Sequence, residues 1–403
     1  MKRNLFIAVL LLYSFASFAQ DAKEILQKSY VKCQSIQNGY YEMTKFMKFM
    51  MSKDTVIGTF NCYFKKLHGD SLYSSAFHYH RVYDGKDLGD VFYTGDDFVT
   101  LNPTDSSAEI MAKSQWSKEM KLVRHNYDFY EPFTDKMSYP FINDSGHFER
   151  TCSFKFIGEE KILGVSCYHC EVNVAPPSHS IQEGIKTLKM EYHYWINKKE
   201  MIPIRYSNEV DVFMNGDTLY QFERFVLNKY ELNNLKNDSI LTLKSIPPYY
   251  KLKTYVPFKA PSLLTKGSMA PDWSLFSLKD EKISLNDFKG KVVLIDFFYK
   301  SCYPCMLALP KLEALYEKYK EKGLVVVGID PVDKKEDDMG SFLSKRGVRY
   351  TVLLGGKDVS KDYHISGYPT MYLIDKNGKI VYAISGYGIG VEAILENYIL
   401  QTL

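Results

Sequence analysis

The chain has 403 residues, more than one domain of roughly 100–200 residues accounts for. Apolar residues make up 45% and charged residues 25%, and the net charge is only +3. This is enough apolar material for true cores, and too small an imbalance to imply a nucleic acid or other polyanion as partner.

The first twenty residues read MKRNLFIAVLLLYSFASFAQ. Lys2 and Arg3 give a basic start, Leu5 to Leu12 an apolar run, and Ser17 and Ala19 the small residues that precede a cut before Gln20. This is the layout of a cleavable secretory signal over residues 1–19. The run is shorter than the roughly 20 residues a membrane-spanning helix needs. No cysteine follows the cut directly, so a lipid anchor is not expected. The expected location is the periplasm or cell envelope. Seven cysteines follow the cut: Cys33, Cys62, Cys152, Cys167, Cys170, Cys302 and Cys305. Export permits pairing, and the odd number leaves one thiol over within a single chain.

Past the signal, Ala22, Ile25, Leu26, Tyr30, Cys33 and Ile36 recur at helical spacing. From Tyr40 to about Tyr230 the pattern turns to alternating aromatic-rich runs, such as SLYSSAFHYHRVY and MEYHYWIN, punctuated by HGDS, DGKD, TGDD and NGD. These predict a large curved antiparallel sheet over residues 20–240 with a helix laid against it, and a helical interruption near residues 117–131. Residues 241–266 are rich in proline and lysine, lack a period, and read as a linker.

From Gly267 to Leu403 the rhythm is that of an α/β domain. KVVLIDFFY is a buried strand, PCMLALPKLEALYEKYKEKG a helix ending at Gly323, LVVVGID a second strand and MGSFLSKRGV a helix. PTMYLIDKNGKIVYAISG makes two strands turning at Asn377-Gly378, and GVEAILENYILQTL a closing helix. The plan is three-layered, with its first two strands parallel.

Two cysteine pairs share the same spacing, and geometry separates them. Cys302 and Cys305 open a helix straight after a buried strand, where residues i and i+3 share a face and a disulfide can close. Pro304 suits a first helical turn. The helix start stabilises a thiolate on Cys302, so Cys302 attacks and the more buried Cys305 resolves the mixed disulfide. Cys167 and Cys170 fall in a strand, about 10 Å apart and on opposite faces, and cannot bond to each other. One is expected to be buried and the other exposed or paired elsewhere. A zinc site with His169 is disfavoured because adjacent strand residues diverge. His78 and His80 share a face and read as packing or surface residues.

The segment 267–403 resembles the thioredoxin superfamily, and within it the TlpA/ResA branch of periplasmic thiol–disulfide oxidoreductases, related to the AhpC/TSA group. The carriers are GSMAPDW, the run LNDFKGKVVLIDFFYKSCYPC, and GYPTMYLIDKNG. The resemblance implies a thioredoxin-like fold and a redox-active disulfide Cys302–Cys305 with no dissociable cofactor and no metal. It also implies a cis Pro369 facing the cysteines, with the Tyr368 backbone pairing with an incoming peptide. Tyr303 and Pro304 tune the potential and join the substrate-facing set. Two positions depart from the branch: Ser301 stands where tryptophan is usual, and Ala308 where glutamate is frequent. Asp296, six residues before Cys302, matches the buried aspartate of thioredoxin itself and is the candidate proton handler for Cys305.

In the N-terminal region DVFYTGDDFVTLNPTD, GEEKILGVSCYHCEV and YHYWINKKEMIPIRYS are similar to the LolA/LppX-like half-barrel, which implies a concave apolar surface. The expected activity is reduction of disulfides in envelope proteins, with electrons from a thiol donor, membrane-bound or periplasmic. The rivals are a carrier whose β domain holds a hydrophobic ligand or partner, and a thiol peroxidase. The peroxidase reading lacks the Pro-x-x-x-Thr-x-x-Cys loop.

Overall fold

A computed structural model describes residues 22–403 apart from 51, 53, 71–72, 74, 116–151, 177–184, 215–216, 257–258 and 389. The signal sequence expected over residues 1–19 and the helix expected near residues 117–131 lie outside the described residues. The chain divides into two compact units, Met1–Val256 and Pro257–Leu403.

In the first unit, helix α1 spans residues 22–34. It buries Ala22, Leu26, Ser29 and Cys33, the face its spacing predicts. Among the described residues the sheet has twelve strands: β1 (Asn38–Lys48), β2 (Val56–Lys66), β3 (Ser75–Tyr83), β4 (Lys86–Tyr93), β5 (Asp97–Asn102), β6 (Ser107–Ala112), β7 (Cys152–Ile162), β8 (Val165–Val174), β9 (Ile185–Asn197), β10 (Pro203–Met214), β11 (Asp217–Leu232) and β12 (Lys251–Thr254). Their order is β12-β6-β5-β4-β3-β2-β1-β11-β10-β9-β8-β7. Two antiparallel meanders thus meet where β1 pairs with β11. Alternation along β1 and β2 sends Tyr41, Met43, Phe60, Cys62 and Phe64 to one face, where they form one core with the apolar side of α1.

The linker expectation is corrected in part. The first unit runs through Val256, and β12 pairs parallel to β6 inside the stretch 241–266. Ile246 and Tyr250 pack on a second small core, Phe92, Val99, Leu101 and Ala108, on the opposite sheet face. Two side chains reaching one apolar patch are enough to dock a segment that has no period of its own.

The second unit holds a seven-stranded sheet in the order β14-β13-β17-β16-β15-β18-β19. In chain order its elements are β13 (Ser274–Ser277), β14 (Lys282–Ser284), β15 (Val292–Phe297), α2 (Tyr303–Tyr319), β16 (Leu324–Asp330), α3 (Met339–Lys345), β17 (Thr351–Leu354), α4 (Lys357–Asp362), β18 (Thr370–Ile374), β19 (Ile380–Ser385) and α5 (Val391–Thr402). Strand β15 is buried along its whole length, as a central strand covered on both faces must be. One face packs Val293, Ile295 and Phe297 with Val359 and Tyr363 of the α4 region. The other carries Leu294, Asp296, Val326 and Gly328.

A β-carbon built on Gly328 would lie 2.8 Å from the Phe298 ring and 3.2 Å from Val352. Both neighbours are buried, so the site cannot relax cheaply. Gly328→Ala is expected to cost about 1–3 kcal/mol by overpacking. Urea melts of the two proteins check this, and an unchanged midpoint contradicts it.

Candidate active site

The chain leaves β15 at Phe297, and two hydrogen bonds hold the turn that follows. The Lys300 amide donates to the Asp333 carboxylate at 2.6 Å, and the Cys302 amide to the Tyr299 carbonyl at 3.1 Å. Cys302 is then the N-cap of α2, with Pro304 in the first turn, where its missing N–H costs nothing. The Cys305 amide donates to Cys302 Sγ at 3.2 Å, so an orphan donor of the helix start already points at this sulfur.

Cys302 and Cys305 form a disulfide with α-carbons 5.2 Å apart. This lies inside the unstrained window of about 4.4–6.8 Å. Cys305 is fully buried, while 4% of Cys302 remains exposed. Tyr303 and Pro304 sit half-buried in the first turn.

The Tyr368–Pro369 peptide bond is cis. Phe297 pairs with Thr370 across β15 and β18, which sets Pro369 at the same end of the sheet as the turn into Cys302. The Tyr368 ring meets Tyr299 edge-on at 5.3 Å, so these two loops are in contact. Asp296, paired across from Gly328 and Met371, is fully buried, and neither carboxylate oxygen has a hydrogen-bond partner. Burial alone pushes its carboxyl up to about 8.

Two further groups escaped the sequence reading. Asp330 ends β16 fully buried, and its Oδ1 accepts from the Val332 and Asp333 amides at 2.8 and 2.9 Å. Burial first, and then Asp333, raises it to about 7. The signal was an aspartate closing the apolar run LVVVGID. Tyr350 is buried in a bend just before β17, a strand too short for its pattern to be read.

The second cysteine pair is corrected in one respect. Cys167 and Cys170 are both fully buried, and neither is in a disulfide. Both join the main core of this unit, Cys167 across from the buried Asn197 and Cys170 across from Tyr194. Burial pushes the thiols up to about 11 and about 12, far from thiolate chemistry at neutral pH. His169 bonds His193 at 3.0 Å and Glu160 at 2.9 Å. His78 and His80 both bond Asp90. Among the described residues no group of three His, Cys, Asp or Glu is placed to hold a metal ion.

Comparison with known proteins adds to this geometry. Residues 266–383 match the AhpC/TSA family. The thioredoxin-like protein YneN of Bacillus subtilis is 36% identical over 118 residues, covering 29% of this chain and 69% of the relative. The thiol-disulfide oxidoreductase ResA of Bacillus cereus is 36% identical over 121 residues, 30% of this chain and 69% of the relative. The chain belongs to the ResA-like thiol–disulfide oxidoreductases of the AhpC/TSA family.

Among solved structures, the ResA-like unit matches the thioredoxin domain of a thiol-disulfide oxidoreductase from Bacteroides vulgatus. That match is 33% identical, covers 34% of this chain and 99% of that one, and has a TM-score of 0.31. A thiol:disulfide interchange protein from Bacteroides sp. is also 33% identical, at 34% and 91% coverage and a TM-score of 0.31. The match over residues 266–383 places the oxidoreductase domain in the C-terminal unit, and a mostly β unit precedes it in the chain.

Proposed function

We propose that this protein is exported and reduces disulfides of cell-envelope proteins, Cys302 attacking and Cys305 resolving. The observation that carries the reading is the placement of Cys302 Sγ at the N-cap of α2, where it accepts the Cys305 amide, with Cys305 buried beside it. In the reduced protein the same donors and the helix dipole favour Cys302 as thiolate.

The Cys302 thiolate attacks one sulfur of the substrate disulfide. The other leaves as a thiolate, and a mixed disulfide remains. Asp296 takes the Cys305 proton, and the Cys305 thiolate attacks Cys302 Sγ. This closes the Cys302–Cys305 disulfide and releases the second substrate thiol, so two electrons have passed to the substrate. A carboxyl held near pH 8 by burial suits that transfer. Pro369 and Tyr368, in contact with the lead-in turn through Tyr299, line the approach for an extended peptide, together with Tyr303 and Pro304.

The chemistry uses no dissociable cofactor. A thiol donor of the envelope, membrane-bound or periplasmic, restores the dithiol. Export rests on the signal-like residues 1–19. The N-terminal unit suits the LolA-like half-barrel reading in having one sheet, antiparallel except at β12, with a helix on one face, and its role there is to hold a hydrophobic ligand or partner.

Trapping tests the proposal. Cys305→Ser, expressed in an exporting host, is expected to accumulate mixed disulfides at Cys302 with envelope proteins, released by reductant and absent from the Cys302→Ser, Cys305→Ser protein. No trapped protein, together with fast peroxide turnover, would make the peroxidase reading the better one.

A further inference from the structure

Buried polar groups in folded proteins almost always have a hydrogen-bond partner. On the sheet face beneath α2, both Asp296 oxygens and the Tyr350 hydroxyl are buried without one. The two residues are 0% and 4% exposed. Register puts them on one face: Asp296 pairs with Gly328, Gly328 pairs with Val352, and Tyr350 stands two residues before Val352. Tyr350 is held firmly there. Its amide donates to Glu313 of α2 at 3.3 Å, and its ring meets Tyr316 edge-on at 6.4 Å. The Asp296 and Glu313 charges act on its hydroxyl and, with burial, keep it protonated.

We propose that Tyr350 is a positioning residue for Asp296, its hydroxyl donating across one bridging water to the Asp296 carboxylate while that carboxylate waits for the Cys305 proton. The inference rests on the reading of Asp296 as proton handler. The proton accounting is simple. Cys305 S–H gives its proton to Asp296, which becomes neutral, and Tyr350 keeps its own proton throughout. A donor to the carboxylate favours the ionised form, so Tyr350 keeps a buried acid ready to accept near neutral pH. The elements around Asp296 carry further titratable groups: Cys302 and Cys305 at the start of α2, Glu313 farther along it, and Asp330 on β16. β18 contributes the uncharged Met371.

The test is the pH profile of the resolving step. It is read in single-turnover reduction of a chromogenic aromatic disulfide, whose second thiolate is released as Cys305 attacks. Tyr350→Phe is expected to raise the midpoint assigned to Asp296 by about one pH unit. Asp296→Asn should abolish that midpoint, and adding Tyr350→Phe to it should change nothing further. An unmoved midpoint in Tyr350→Phe, with the midpoint lost in Asp296→Asn, overturns the Tyr350 proposal and leaves Asp296 standing. Wild-type profiles in both variants overturn the Asp296 reading itself. The unsubstituted protein gives the same information without a variant: carbon-detected NMR should show the Tyr350 Cζ resonance titrating with the Asp296 carboxyl. A Cζ shift flat through that range overturns the proposal.

Discussion

Asp296→Asn makes the oxidised protein more stable than the parent at pH 9, by up to about 5 kcal/mol, and the gap narrows to about 1.5 kcal/mol at pH 5. The cause is a carboxyl with no hydrogen-bond partner that burial pushes up to about 8. Its pKa is higher folded than unfolded, so between about pH 4 and 8 the folded protein binds the extra proton. Stability due to this group therefore falls as pH rises through that window, and the full penalty is present above pH 8. At about 1.4 kcal/mol per pH unit the penalty reaches the figure above. Asparagine has a similar shape and never ionises. Asp330, raised to about 7, titrates in both proteins, so the difference between them isolates Asp296. Urea melts at pH 5 and pH 9 decide it, and parallel stability–pH curves for the two proteins would contradict the account.

How legible this was in the sequence depended on the length and strength of each pattern. The strand–CxxC–helix join could be read because a fully apolar strand, two cysteines, Pro304 and a long amphipathic helix all agree on one local structure. The Asn377-Gly378 hairpin and the face of α1 were equally plain. Strands β13, β14 and β17 have only three or four residues each, too few for alternation to register. The segment 241–256 was misread because its docking depends on Ile246 and Tyr250 finding an apolar patch from β4, β5 and β6, which is information held far away in the chain. That Cys167 and Cys170 are both buried was missed for a related reason: alternation lets only one of them face the core, yet both join it, across from the buried Asn197 and Tyr194. Asp296 was found through the resemblance to thioredoxin, with its apolar neighbours in support, whereas Tyr350, set in a bend before a short strand, gave no such signal.

The second large expectation concerns the two thiols of the reduced protein, whose reactivities should differ by orders of magnitude although they are three residues apart. Cys302 combines residual exposure with an amide donor and the start of a helix, and Cys305 has neither exposure nor such a donor. The remaining thiols offer little competition, since Cys33, Cys62, Cys167 and Cys170 are buried and only Cys152 is half-buried. The decisive measurement is alkylation of the reduced, folded protein by iodoacetamide across pH, with the modified cysteine identified by mass spectrometry. Cys302 should react first, with a midpoint well below the ordinary thiol value of about 8.5, and Cys305 only after unfolding. If both stay inert until the protein is denatured, or if Cys305 reacts first, the assignment of the attacking sulfur is wrong.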